Sequence, residues 1–131
     1  MRRQFQLGEE DLECLAARGL TWEAIIEANS KWIIVHEYPV PEGYNHRAAD
    51  AALRIPPSYP DGDIDMVYFL PGLALTNGRA IRALTPLVID GKQYQQWSRH
   101  RTGENPWRAG LDNICTHLLQ VDSWLERELK G

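Results

Sequence analysis

The chain has 131 residues, 44% apolar and 24% charged side chains, which is the balance of a single globular domain with a buried core. Its longest apolar runs, near residues 32–35 and 66–71, are too short to cross a bilayer. The two arginines near the start precede no apolar stretch, so no signal peptide is read and the cytoplasm is the expected compartment. The net charge of −4 is unevenly spread: residues 79–108 carry +4, through Arg79, Arg82, Lys92, Arg99, Arg101 and Arg108 against Asp90 and Glu104, which leaves −8 on the rest. Such a window reads either as a solvated basic face or as a docking surface for an acidic partner.

In chain order, residues 8–18 read as a short helix. Glu9, Glu10 and Asp11 suit its dipole at the first turn, and Gly19 stops it. Thr21 caps a second short helix over residues 22–29. Residues 31–38 are rich in β-formers and read as a strand, closed by Pro39, Pro41 and Gly43. Residues 46–55 fit either a strand or a helix, and their alanines favour helix. Residues 64–70 read as another strand, and Asp90-Gly91 as a tight turn between short extended pieces. The clearest helix is the last: Leu111, Ile114, Cys115, Leu118, Val121, Leu125 and Leu129 share one face. Helix, strands, irregular crossover and terminal helix give an α+β layout, with helices covering an antiparallel sheet. Cys14 and Cys115 have neither metal-ligand nor CxxC spacing and are expected as free thiols. The four histidines show no metal spacing, and no phosphate-binding glycine loop occurs, so no cofactor is expected.

The run Ile55-Pro56-Pro57-Ser58-Tyr59-Pro60, leading into Asp65-Met66-Val67-Tyr68-Phe69, resembles the corner between strands of the ubiquitin-conjugating fold. Asn105-Pro106-Trp107-Arg108-Ala109-Gly110-Leu111 resembles the tryptophan-led approach to the helix after that family's active site. With Gly43-Tyr44-Asn45-His46 and Gln96-Trp97-Ser98-Arg99-His100, these motifs resemble the prokaryotic family E of the superfamily over roughly residues 31–128, with residues 1–30 outside. The resemblance implies an α+β ubiquitin-conjugating fold in one domain. It also implies a bacterial transferase that takes a ubiquitin-like protein from an activating enzyme and passes it to a target protein. A JAB-type peptidase would share the pathway, and anti-phage defence is the setting the resemblance implies. The family's His-Pro-Asn tripeptide and its cysteine are both missing here, and the position of that cysteine falls at Arg99, beside Ser98.

Acyl transfer needs a nucleophile, a base and donors for the tetrahedral oxyanion. A serine hydroxyl is far less acidic than a thiol and needs an adjacent base. Ser98 and His100 meet that need: in extended backbone, positions two apart share a side, so His100 could take the proton from Ser98 directly or through one water. An oxyester on Ser98 is therefore the expected intermediate. Arg99 and Arg101 would flank an acidic tail, while Asn45 or His46 would replace the missing tripeptide as oxyanion donors. Against this, a Trp-Ser-Arg-His run also fits a surface loop, and Tyr44-Asn45-His46 also fits a turn in which Asn45 bonds nearby backbone. Trp97 and Trp107 are expected to pack locally and order the loop, and His36 and His117 to be structural or surface residues. Cys115, on the apolar helix face, is the rival nucleophile.

Two other readings stay open. One is a catalytically inactive homologue that binds a ubiquitin-like protein or its activating enzyme, which the missing cysteine supports. The other is a nucleic-acid-binding protein using the basic window, which the acidic overall charge disfavours. No membrane partner is expected.

Overall fold

The computed structural model describes residues 1–131, in the order α1 (Glu9–Ala17), β1 (Thr21–Glu27), β2 (Ser30–Pro39), β3 (Ala48–Ile55), β4 (Val67–Leu70), β5 (Leu84–Ile89), β6 (Lys92–Trp97) and α2 (Ile114–Lys130). The six strands form one antiparallel sheet in the order β1-β2-β3-β4-β6-β5. Both helices pack on one face through Leu15, Ile114, Leu118, Val121, Trp124 and Leu125. This is the α+β layout expected of a ubiquitin-conjugating-like fold.

Turn chemistry sets the hairpins. Asp90 and Gly91 both take positive φ, 55° and 71°, as the tight turn between β5 and β6 requires. Ala28 and Asn29 do the same between β1 and β2, at 49° and 64°. That second hairpin corrects the expected helix over residues 22–29, which form β1 and its turn. The alanine-rich segment 46–55 is likewise the strand β3, not a helix. One physical cause explains both. The sheet is buried on both faces, so the period-two signal is hidden. Trp22 and Ala24 face the helices while Ile25 points the other way; in β3, Ala49, Ala51 and Leu53 face the helices while Ala52 opposes them. Tertiary burial overrides the helical propensity of alanine and glutamate.

The second apolar cluster holds Ile25, Trp32, Ile34, Ala52, Tyr68, Ile89 and Tyr94. It is covered because the β5–β6 hairpin curls toward β1. The Asp90 amide donates to Glu27 at 2.9 Å, and Arg2 donates to both Glu23 (3.0 Å) and Asp90 (2.6 Å). These bonds from Arg2 hold the Glu23 carboxyl down at about 2.

α2 begins one turn later than its apolar spacing suggests. Asn113 caps it, accepting from the Thr116 amide while Thr116 Oγ1 accepts from the Asn113 amide. Leu111 lies outside the helix and is exposed, whereas His117 and Trp124 join the buried face.

Cys14 and Cys115, expected as free thiols, are joined in a disulfide. α1 and α2 share a sheet face, so residues 101 apart in sequence come within 6.3 Å at Cα. No spacing rule could reveal this contact. Beside it the Tyr59 hydroxyl donates to the Asp11 carboxylate (2.9 Å), and the Ile114 amide donates to Asp11 (3.2 Å) and to Tyr59 (2.9 Å). Burial raises the Asp11 carboxyl above its ordinary range, opposed by these two donors. The Tyr-Pro corner thereby locks to the start of α2 and to α1. No helix is long and apolar enough to cross a membrane.

Candidate active site

The site is built where β6 ends. Val67 of β4 pairs with Trp97, the last residue of β6, so the residues just before β4 lie beside those just after β6. Trp97 is fully buried, edge-on to Phe69 at 5.4 Å, with Nε1 donating to Gln95 (2.8 Å). It anchors the strand end from below. The Ser98 amide donates to Ala83, and the Arg99 amide donates back to Trp97 at 2.9 Å, which closes a three-residue turn centred on Ser98. The segment 98–101 is therefore not an extended strand, and the alternation expected to align Ser98 with His100 does not apply to it.

Ser98 is half-buried, and its Oγ accepts from Gln96 Nε2 at 3.2 Å. His100 is exposed, and its Nδ1 lies 2.8 and 3.0 Å from the two oxygens of Asp65. With Nδ1–H donated to Asp65, Nε2 carries the free lone pair. No hydrogen bond joins Ser98 to His100.

The flanking arginines diverge along α2. Arg99 sits 5.0 Å over the Trp97 ring and pairs with Glu128 at 3.4 Å, near the helix end. Arg101 points to the helix start, where it lies 5.0 Å over Trp107 and 4.0 Å from Asp112. Arg79 also pairs with Glu128 (3.2 Å). Half of the basic window's cations are thus matched within the chain, while Arg82, Lys92 and Arg108 form no ion pair. Trp107 donates to the Pro60 carbonyl (3.0 Å) and packs 6.1 Å from Tyr59, tying the loop before α2 to the Tyr-Pro corner. Both tryptophans order the loop as expected.

Asn45 and His46 stand on a separate corner. Gly43 adopts φ +114°, and Tyr44 is buried with its hydroxyl donating to the Leu125 carbonyl (2.7 Å). Asn45 accepts from the Ala74 amide (2.9 Å) and donates to the Gly72 carbonyl (3.3 Å), so its amide bridges nearby loop backbone. His46 is half-buried, and no hydrogen bond ties it to Ser98 or His100. The link between this corner and β6 runs through Gln95, which accepts from the Leu73 amide and donates to its carbonyl, and through Tyr44 beside Trp97.

His117 is a structural residue. It is fully buried, and Nε2 donates to the Met66 carbonyl (2.8 Å). Burial pushes its pKa down to about 4, and the charge of Arg101 acts in the same direction. The bridge to Cys14 leaves Cys115 without a thiol to act as nucleophile.

Sequence reasoning missed Asp65, Glu128 and Asp112, which hold His100, Arg99 and Arg101. Only strand pairing could have found Asp65: carrying the Val67–Trp97 register outward sets it opposite Arg99, diagonal to His100.

Residues 7–128 match the model of a family described as prokaryotic E2 family E. The match takes in α1 and β1, so it begins well before the residues 31–128 that the motifs delimit. No curated protein and no solved structure matches the chain.

Proposed function

Because the chain belongs to prokaryotic E2 family E, we propose that it is a conjugating transferase that carries the carboxyl end of a ubiquitin-like protein as an oxyester on Ser98. The observation that carries this reading is the Asp65–His100 pair beside Ser98, at the end of β6. Asp65 fixes the tautomer, which leaves His100 Nε2 as the base. No hydrogen bond joins Ser98 to His100 here, so the reading requires that the two come together, directly or through water, when the acyl group is bound.

In the first step Ser98 Oγ attacks the activated acyl carbon presented by the activating enzyme. Its proton passes to His100 Nε2, the C–O ester bond forms, and the leaving group departs with that proton. In the second step an amine of the target attacks the ester and an amide bond forms. As the amine attacks, His100 Nε2 takes the amine's proton and passes it to Ser98 Oγ as the C–O bond breaks, which restores the serine hydroxyl and the neutral imidazole. An alkoxide is a poorer leaving group than a thiolate, so protonation of the departing oxygen is where His100 matters most. In this reading Arg99 and Arg101 flank the incoming tail. The wider system is bacterial, with an activating enzyme and a JAB-type peptidase, in anti-phage defence.

A second reading is a non-catalytic module that binds a ubiquitin-like protein or the activating enzyme. It is favoured by Ser98 Oγ being engaged with Gln96 and not with His100. Incubation with the cognate activating enzyme, ubiquitin-like protein and ATP separates the two. A covalent adduct that Ser98→Ala abolishes supports the transferase, and tight binding without an adduct supports the module.

A further inference from the structure

Arg101 has a place in the fold that its pairing does not explain. Its side chain is only 7% exposed, yet Nε and Nη2 are buried without a hydrogen-bond partner. Those two nitrogens carry the parallel N–H bonds of the guanidinium's side edge, the edge that fits both oxygens of a carboxylate. Leaving two such donors empty in a buried position costs free energy. The nearest carboxylate does not serve them: Asp112 faces Nη1, at 4.0 Å, and accepts from the Arg108 amide at 2.7 Å. The Trp107 ring lies 5.0 Å from Cζ and holds the guanidinium plane in position.

We propose that the side edge of Arg101 is a receptor for a carboxylate. Asp112 offsets part of the local positive charge, which favours a monoanion over a phosphate dianion. The exposed turn at residues 102–105 follows Arg101 directly and is closed by one bond from the Asn105 amide to the Thr102 carbonyl, so it is the segment that must open to admit a ligand. Arg101 lies three positions after Ser98. Resting on the transferase reading, the carboxylate is therefore the free carboxyl end of the carried protein, held before activation or after release.

The test uses the arginine Nε–H signals of the full chain in a two-dimensional ¹⁵N spectrum, assigned by through-bond correlation. The titrant is N-acetylglycine at constant ionic strength, with N-acetylglycinamide and sodium chloride as controls. The Arg101 signal is expected to move downfield and saturate with the acid alone, and Arg101→Lys is expected to bind about tenfold more weakly or worse. An unmoved signal, or equal movement with chloride or the amide, overturns the proposal and leaves an internal water as the partner. The titration on the unaltered chain decides the matter even if the variant folds poorly. Ser98→Ala should bind N-acetylglycine as the parent does, so failure of the oxyester chemistry and failure of this site are distinguishable.

Discussion

Asp65 and His100 are 35 residues apart in sequence, yet the Asp65 carboxylate lies 2.8 Å from His100 Nδ1. The pair is an orienting contact on an exposed ring, so its loss should change chemistry and not folding. Asp65→Asn keeps the shape but replaces one carboxylate oxygen with an NH2 donor and removes the charge, so the Nδ1–H tautomer is no longer selected. Adduct formation should slow by about 10²–10⁴-fold, with the thermal midpoint unchanged. A variant that charges at the parental rate would show that Asp65 does not position the base.

Acidification should weaken the fold through His117. In the folded chain burial holds this imidazole at about 4, against an ordinary value of 6.5. The unfolded chain therefore binds the proton first as pH falls. The contribution is complete above about pH 6.5 and is lost progressively down to about pH 4, by on the order of 3 kcal/mol. Glu23 acts in a lower window, between its ordinary value of 4.5 and about 2, and Asp11 acts with the opposite sign because its folded value is raised. Urea denaturation across pH, comparing the parent with His117→Gln, isolates the histidine: the variant should lack the loss between pH 6.5 and 4.

Reduction should destabilise the chain without unfolding it outright. The Cys14–Cys115 bridge closes a loop with a sequence separation of 101, and its loss should cost about 2–4 kcal/mol. The measurement is the denaturation midpoint with and without a reductant, with Cys14→Ser/Cys115→Ser as the matched control. A midpoint indifferent to reductant would mean that the two sulfurs are not bonded in solution.

Gly43→Ala should be among the costlier single-methyl changes. The backbone there has φ +114°, and an added Cβ would come within 2.5 Å of Leu129 Cδ2 on α2. Strain and overpacking together should cost about 2–4 kcal/mol, read as a lowered midpoint. Full stability would show that the corner can shift away from the helix.

Much of this was legible in the chain itself, and the misses share a cause. α1, β2, the Asp90-Gly91 hairpin and the apolar face of α2 follow from local chemistry: acids at a helix start, β-branched runs, a two-residue turn and 3.6-residue spacing. β1 and β3 were hidden because a sheet buried on both faces does not alternate cleanly. The partners of the candidate site were hidden for a different reason. Asp65 meets His100, Glu128 meets Arg99, and Cys14 meets Cys115 only after β4 has paired with β6 and both helices have settled on one face. The motifs single out residues 96–100, and the extended backbone assumed there is a turn about Ser98.

The central claim is tested most directly by mapping the bond formed when the protein is charged by its activating enzyme with a ubiquitin-like protein and ATP. The account predicts an adduct on Ser98, located by mass spectrometry, that survives reducing agent and is cleaved by hydroxylamine or mild base. An adduct located on any other residue, or retained in full by Ser98→Ala, would contradict it.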